Sequence, residues 1–371
     1  MKPKKNILLI GPAKLSGCPV GGMVSYIETI LKSNLAKDYN FLLLNTSKQL
    51  SVSNNFFLNI LNSMGKITKL FYLLSVKNID IVHINSSSYL GFFEKQLFAL
   101  ISKLYRKKVV FQIHGGKFNE FYNSSSKISK LAIRTLFKSN DKIIVVGRYW
   151  FNFLSKIINK NKLEIVYNSV DPNQFKCSRE KRKRKNINVL SVGCLSKEKG
   201  TFDIIKAIPL VITSKKNVSF TFVGRAENES IKNKLEYECH KNNIKNFVFF
   251  KGEIEHSKIK KEYCNSDIFI LPSHYESFSL VLLEAMASGL PIITTNISAL
   301  PELIKDKENG FLIEKGDYKK LAGYILELVN NKNLRNFMAR KNISKIEEDF
   351  SLVKMQSEIR KIYDTIIPKS S

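Results

Sequence analysis

Two glutamates eight positions apart are the residues of this sequence best suited to chemistry. Glu276 lies in a short polar loop after an apolar run, and Glu284 lies on a helix predicted over about 279–288. Gly289 and Pro291 end that helix, because neither residue continues one well. At ~1.5 Å per helical residue the two carboxylates would be about 12 Å apart. That span, with helix-start N–H groups between, suits a nucleotide diphosphate sugar, whose diphosphate lies between two groups of hydroxyls.

Short apolar strands alternate with longer amphipathic segments, which predicts parallel sheets covered by helices. The strands are predicted at 7–10, 41–44, 79–84, 109–113, 142–146, 188–192, 219–223, 247–250, 268–271 and 291–295. The fold class is therefore α/β, with two Rossmann-like doubly wound domains. The carboxyl ends of both sets of strands are expected to face a cleft, where such sheets bind ligands.

A polar, strongly basic stretch interrupts the pattern and is interpreted as the linker. The predicted organisation is a first domain over 1–176, a linker over 177–187, a second domain over 188–349 and a carboxyl-terminal helix over 350–371.

The chain of 371 residues has a formal net charge of +28. Residues 1–178 hold 26 Lys and Arg against 8 Asp and Glu, and the remainder holds 34 against 24. This excess fits either an unspecific basic coat or attraction to an anionic membrane surface or lipid-phosphate acceptor. Nucleic acid is not expected as a partner, since no nucleic-acid-binding motif accompanies the charge.

The five cysteines are scattered and include no C-x-x-C pair, so reduced thiols are expected, with neither a disulfide framework nor a zinc site. No apolar stretch approaches the length of a membrane span. The apolar run near the amino terminus is too short for a signal peptide. The expected location is cytoplasmic, with peripheral attachment to the inner face of the plasma membrane as an open possibility.

The block around the two glutamates, Glu276-Ser-Phe-Ser-Leu-Val-Leu-Leu-Glu284-Ala-Met-Ala-Ser-Gly289, resembles the E-x7-E signature of the retaining glycosyltransferases of family 4, which have the GT-B fold. Lys199-Gly200 matches that family's pattern as well, and His114-Gly115 matches it more loosely. The resemblance covers nearly the whole chain and is densest over 188–316. It implies that the carboxyl-terminal helix crosses back to the first domain.

The resemblance also implies roles for individual residues. Glu276 would hold the donor sugar, Lys199 would stabilise the leaving diphosphate, and Glu284 would accept hydrogen bonds from the ribose. His114 would contact the donor sugar or the acceptor. The other donor-binding residues implied, through backbone or side chain, are Gly22, Arg225, Ile254, Ser277, Phe278, Ser279 and Leu280.

Two departures from the family pattern bear on the diphosphate. Cys194 occupies a position where an arginine is expected, so one of two cations is missing, and Arg225 and Lys197 are the candidates to replace it. Ser279 replaces a glycine, and a serine there suits a helix N-cap.

Neither a cofactor nor a metal is expected. The sequence contains no Asp-x-Asp motif in its centre and no His and carboxylate cluster with metal spacing. The glycines near the amino terminus lack the G-x-G-x-x-G spacing, which disfavours a dinucleotide-dependent dehydrogenase.

The sequence thus favours a retaining, metal-independent glycosyltransferase that moves a sugar from a nucleotide diphosphate sugar, with UDP-sugars expected, to a glycan or lipid-linked acceptor of a cell-surface polysaccharide. A sugar-nucleotide epimerase or a glycan phosphorylase on the same plan stays open. So does a non-catalytic subunit that binds nucleotide or membrane and supports a partner transferase.

Two long segments, 56–74 and 89–105, combine apolar faces with lysines, as helices at a membrane interface do. The alternative is that these faces only pack on the sheet of the first domain.

Overall fold

The computed structural model describes residues 4–14, 21–47, 56–177 and 186–367, with no side-chain description for 56–61. The chain divides into two compact units. Unit 1 comprises 1–168 and 353–371, and unit 2 comprises 169–352. The basic residues 178–185, which form most of the predicted linker, lie outside the described residues.

Unit 1 is a parallel sheet of six strands in the order β2-β1-β3-β4-β5-β6. Its strands are β1 (Lys5–Gly11), β2 (Tyr39–Asn45), β3 (Ile81–Ser86), β4 (Lys108–Ile113), β5 (Lys142–Val145) and β6 (Leu163–Ile165). Its helices are α1 (Gly22–Lys32), α2 (Leu35–Asp38), α3 (Phe56–Val76), α4 (Leu90–Leu104), α5 (Phe118–Ser124), α6 (Lys127–Ser139) and α7 (Arg148–Leu154). The central strands β3 and β4 are buried except for Lys108 at the start of β4, as strands covered by helices on both faces are.

Unit 2 is a second parallel sheet of six strands, ordered β12-β11-β10-β7-β8-β9. Its strands are β7 (Ile187–Val192), β8 (Val218–Val223), β9 (Val248–Phe250), β10 (Ile268–Leu271), β11 (Ile292–Thr295) and β12 (Gly310–Ile313). Its helices are α8 (Pro172–Phe175), α9 (Thr201–Ser214), α10 (Glu229–Lys241), α11 (His256–Cys264), α12 (Leu280–Ala287), α13 (Leu300–Leu303), α14 (Tyr318–Asn330) and α15 (Lys332–Asp349).

The last helix, α16 (Leu352–Ile366), belongs to unit 1 from Val353 onward. Its Tyr363 hydroxyl lies 2.7 Å from Nδ1 of the buried His83 on β3, and its Asp364 accepts a hydrogen bond from the Tyr39 hydroxyl at 3.1 Å. The carboxyl-terminal helix therefore packs on the first Rossmann-like unit, and the predicted α/β class is confirmed.

The prediction of reduced cysteines is wrong for one pair, because Cys177 and Cys264 form a disulfide. Eighty-seven positions separate the two residues, so their spacing gave no sign of it. The fold brings them together by packing α8 against α11, where the Phe175 ring contacts the Tyr263 ring. Cys194 and Cys239 are free thiols.

Candidate active site

The two strands at the centre of the unit 2 sheet mark where its strand order reverses. From β7 the chain proceeds through β8 and β9 on one side, and β10 to β12 occupy the other side. In open α/β sheets, ligands bind beyond the carboxyl ends of strands at such a reversal. The loops after β7 and β10 meet there, since the His274 N–H donates to the Glu198 carbonyl at 2.7 Å.

Lys199 and Glu276 form an ion pair across these two loops. Lys199 Nζ donates to Glu276 Oε2 at 2.6 Å. The lysine side chain is about one third exposed and the glutamate side chain is 13% exposed. Burial favours the neutral lysine, but the charge and the hydrogen bond of Glu276, together with the charge of Glu198 among smaller contributions, raise the pKa of Lys199. The ammonium group is therefore a permanent positive charge at neutral pH.

Gly200 allows the two loops to approach this closely. Its φ is +70°, and a Cβ there would lie 2.0 Å from the Pro272 carbonyl oxygen, in the loop that carries Glu276. Only glycine adopts this conformation without a clash. The glycine after Lys199 thus permits the close approach of the two loops that carry the lysine and the glutamate.

Glu284 lies in a different environment, on the buried face of α12. The residue is 5% exposed, and both carboxylate oxygens have partners on α11. His256 Nε2 lies 2.8 Å from Oε1, and the Tyr263 hydroxyl donates to Oε2 at 2.7 Å. Burial, and then the charge of Glu284, raise the pKa of Tyr263 well above its usual value, so the phenol stays a hydrogen-bond donor. Each carboxylate oxygen keeps acceptor capacity for a further donor.

A second pair anchors the Glu276 loop to the helix that follows Lys199. His274 Nε2 lies 2.6 Å from Oδ2 of Asp203, a buried residue in the first turn of α9. This pair orients the loop two residues before Glu276. Sequence reasoning missed it because His274 and Asp203 belong to segments 71 residues apart.

Cys194 occupies the position where the family pattern has an arginine. Burial and the charge of Glu227 raise the pKa of the Cys194 thiol, so the thiol stays uncharged and does not replace a cation. The positive charges of Arg225 and Lys199 act on the same thiol in the opposite direction. Arg225 is thus the predicted substitute whose charge reaches this position, and the Leu195 N–H binds its carbonyl at 2.8 Å.

The segment 277–280 leads into α12. Ser279 occupies the N-cap position but its hydroxyl makes no capping hydrogen bond, contrary to what a serine N-cap suggests, and Leu280 begins the helix. Phe278 and Ser279 are buried. Ile254 lies in the loop after β9, two residues before His256. That loop is at the carboxyl edge of the sheet, as is the loop that carries Lys199.

The remaining predicted residues belong to unit 1. Gly22 begins α1 and His114 follows β4, both at the carboxyl edge of the unit 1 sheet. Burial, with a smaller contribution from His83, lowers the pKa of His114 to about 3, so its imidazole is neutral. Nε2 lies 2.9 Å from the Asn85 side-chain oxygen and therefore carries the proton, which leaves Nδ1 as an acceptor.

His256 and Tyr263 are the partners of Glu284 that sequence reasoning did not name. The two residues are seven positions apart on α11 and therefore lie on one face of that helix. That spacing was the available signal. Within the described residues, no group of three or more His, Cys, Asp or Glu is arranged to hold a metal ion. Over the same ranges, no helix combines the length and the apolar character needed to cross a bilayer.

Two family models match the chain in succession. The model described as Glycosyltransferase Family 4 matches residues 38–174, and that described as Glycosyl transferases group 1 matches residues 173–345. The chain is 27% identical over 319 residues to a 41.2 kDa protein in the cps region of Klebsiella pneumoniae, covering 81% of this chain and 85% of that protein. It is 28% identical over 247 residues to the capsular polysaccharide biosynthesis glycosyltransferase CapM of Staphylococcus aureus. This match covers 67% of this chain and 61% of CapM.

The fold is similar to that of Anabaena HepE, whose crystal structure is a complex with UDP. The TM-score is 0.78 at 18% identity, over 97% of this chain and 100% of that one. At this identity the likeness establishes the fold alone.

Proposed function

Because the chain belongs to the GT-B glycosyltransferases of the group 1 and family 4 type, we propose that it transfers a sugar with retention of anomeric configuration. The donor is a nucleotide diphosphate sugar, and the acceptor is a glycan or lipid-linked glycan of a cell-surface polysaccharide. The observation that carries the proposal is the ion pair between Lys199 and Glu276 at the strand reversal of unit 2.

The chemistry follows from the charges of this pair. A departing diphosphate gains negative charge as the anomeric C–O bond breaks, and a fixed ammonium group lowers the energy of that state. Lys199 is held in this form by Glu276. When a donor binds, Lys199 turns to the diphosphate and the freed carboxylate of Glu276 accepts hydrogen bonds from the sugar. The N–H groups of segment 277–280 add the positive end of the α12 dipole.

The other parts of the donor are assigned to residues from the family resemblance. Glu284 binds the ribose, and the backbone near Ile254 contacts the base. Arg225 supplies the second cation in place of the arginine absent at Cys194. We propose UDP as the nucleotide, since HepE was crystallised with UDP. The similarity to CapM supports a polysaccharide acceptor. In this scheme Lys199 and the helix dipole stabilise the leaving diphosphate in place of a divalent ion. The reaction takes place at the cytoplasmic face of the membrane.

The test measures turnover of UDP-sugars with and without EDTA, and the anomeric configuration of the product by ¹H NMR. The variants are Glu276→Gln and Lys199→Met. The matched control is Lys232→Met, because Lys232 is an exposed lysine of unit 2 that also pairs with a glutamate. We expect Lys199→Met to lower kcat by about 10²–10³, as loss of a fixed charge on the leaving group does, and the control to keep full activity. Full activity in both site variants would refute the assignment, and an inverted product would refute retention.

A second candidate rests on Cys194, which leaves the diphosphate site with one cation fewer than the family pattern. On that basis the chain would be a non-catalytic subunit that binds nucleotide and supports a partner transferase. Calorimetric binding of UDP with no turnover of any UDP-sugar would favour this candidate.

A further inference from the structure

Helix α4 exposes a continuous apolar stripe. Its exposed large side chains recur at intervals of three, four, three and four residues, which places them on one helical face. They are Leu90, Phe93, Leu97, Leu100 and Leu104. Leu90 and Leu104 are 85% and 80% exposed, although the opposite face of α4 is buried against β3 and β4. The helix is therefore apolar on two faces, and only one of them packs on the sheet.

The neighbouring helices extend this stripe into a surface. On one side, Ser63 and Lys66 of α3 contact Glu94 of α4. On the other side, Asn140 at the end of α6 donates to Gln96 of α4 at 3.2 Å. The further exposed apolar side chains on α3 and α6 are Met64, Phe71, Tyr72, Val76, Ile128 and Leu131. We call this surface, formed by the outward sides of α3, α4 and α6, the three-helix face.

Apolar exposure is concentrated there. With Tyr89, the three-helix face holds twelve of the nineteen exposed large apolar side chains in the part of the chain that the structure describes. An apolar surface of this extent on a folded protein marks a site of interaction with another apolar phase.

The charged residues of the three helices are almost all positive. Their sequences contain eight Lys and Arg and one acidic residue, Glu94. That glutamate is already paired with Lys95 at 2.7 Å and with Lys66 at 3.5 Å. Lys69, Lys127 and Lys138 are exposed among the apolar side chains. Apolar residues rimmed by lysine are the composition of helices that lie in a membrane interface.

We propose that the three-helix face docks on an anionic lipid surface. The leucines and aromatic side chains enter the boundary between headgroups and acyl chains, and the lysines bind the lipid phosphates. A second copy of the chain is the other candidate occupant, but self-association through this face would bring two strongly positive surfaces together. The anionic partner complements the charge, whereas a second copy repels it.

The test is flotation with vesicles of phosphatidylcholine alone or with about 30% phosphatidylglycerol. We expect binding to the anionic vesicles at about 50 mM salt, and a fall of the partition coefficient by at least about tenfold at about 500 mM salt, where charges are screened. Pure phosphatidylcholine should bind far less protein.

Two triple variants separate the contributions. The first variant replaces the most exposed apolar side chains, Leu90, Leu104 and Ile128, with serine. The second reverses the charge by replacing Lys69, Lys127 and Lys138 with glutamate. Their matched controls change exposed residues of unit 2, namely Leu210, Tyr237 and Phe337→Ser, and Lys216, Lys241 and Lys319→Glu. Each three-helix variant should lose at least about tenfold in vesicle binding, and each control should bind as the wild type does.

The proposal is independent of catalysis, because UDP binding by unit 2 is measured separately and should be unchanged in the three-helix variants. Absence of vesicle binding at low salt would overturn it. Equal binding by both three-helix variants and the wild type would also overturn it. A protein dimer that the serine variant dissociates, without vesicle binding, would assign the face to a second copy instead.

Discussion

The carboxylate of Glu284 is held by two side chains of a single helix. Both His256 and Tyr263 come from α11, and each binds a different oxygen of the buried carboxylate. A carboxylate oriented in this way presents its remaining lone pairs in fixed directions, which suits recognition of neighbouring hydroxyls on a ribose. His256 and Tyr263 are thus positioning residues for the proposed nucleotide site.

Replacing Tyr263 with phenylalanine removes one of these hydrogen bonds and keeps the ring. We expect the affinity for UDP to fall by about tenfold or more, since a hydrogen bond to a charged group contributes about 1.5–3 kcal/mol and about 1.4 kcal/mol corresponds to tenfold. The affinity for 2′-deoxy-UDP should change much less, because the carboxylate then has fewer hydroxyls to bind. Calorimetry with both nucleotides measures the difference.

The exposed Tyr237 of α10 provides the control, as Tyr237→Phe. Equal loss for both nucleotides in Tyr263→Phe would indicate general damage to unit 2 rather than a role in orienting Glu284.

Which residues could be predicted depended on whether their partners were local. Glu276 and Glu284 were singled out because one loop and one helix contain them both. The partners of Glu284 come from α11, 21 and 28 positions away, and Lys199 is 77 positions from Glu276. Its proximity to that glutamate rested on the family resemblance, since spacing alone gives no contact over such distances.

At the scale of elements, the loops after β7 and β10 approach each other closely at Gly200. Gly200 lets the backbone after Lys199 approach Pro272, and the His274 N–H then binds the Glu198 carbonyl. The distance between Lys199 and Glu276 therefore depends on this backbone contact as well as on the side chains.

Gly200→Ala should disturb that contact. A methyl group would lie 2.0 Å from the Pro272 oxygen, at a φ of +70° that alanine adopts with strain. We expect a lower melting temperature and weaker UDP binding, measured by thermal unfolding and calorimetry. Gly316→Ala is the matched control, because Gly316 has a φ of +77° with no atom within 4 Å of the added carbon. Gly316→Ala should therefore lose only the stability that the strained φ costs, about 1–3 kcal/mol.

If both alanine variants lost the same stability and both kept UDP affinity, close approach at Gly200 would have no part in the site.

The elements themselves were largely predictable. Ten strands were expected, and each coincides with an observed strand within about two residues, since a buried parallel strand is a short apolar run with clear limits. The strands β6 and β12 were missed. Both are outermost in their sheets, and they have three and four residues, too few to show a pattern. The helices α3 and α4 were also expected. Several of their apolar residues remain exposed, because only one face of each helix is buried.

At the scale of the whole molecule, unit 1 contains a buried polar cluster that ties α16 to its sheet. His83 contacts the Tyr363 hydroxyl through Nδ1 and the Gln112 side-chain oxygen through Nε2 at 3.0 Å. Burial lowers the pKa of His83 to about 4, so the folded protein holds this ring neutral. The unfolded chain binds a proton there below about pH 6.5.

The free energy of unfolding of unit 1 should therefore decrease as the pH decreases below about 6.5. The contribution of His83 is complete above about pH 6.5 and is lost as the pH falls toward 4, by about 2 kcal/mol at pH 5. His114 acts in the same direction, since its pKa is also lowered. Urea unfolding followed by the fluorescence of Trp150, the single tryptophan and a residue of unit 1, measures this at pH 7.5 and pH 5.

His83→Gln removes the titrating ring and should reduce that fall by about 2 kcal/mol. His240→Gln, at an exposed position of α10, should leave it unchanged. An unaltered fall in His83→Gln would mean that other groups cause the acid sensitivity.

The central claim is that Lys199 and Glu276 divide a nucleotide diphosphate sugar between them, and calorimetric titration of UMP, UDP and UDP-sugars tests it most directly. In Lys199→Met the affinity for UDP should fall toward that for UMP, because the diphosphate loses its cation. In Glu276→Gln the affinity for UDP should persist, and the additional affinity conferred by the sugar should disappear. Lys232→Met should match the wild type. Equal affinities for UDP-sugars in all four proteins, or no binding of any nucleotide diphosphate by the wild type, would contradict the account.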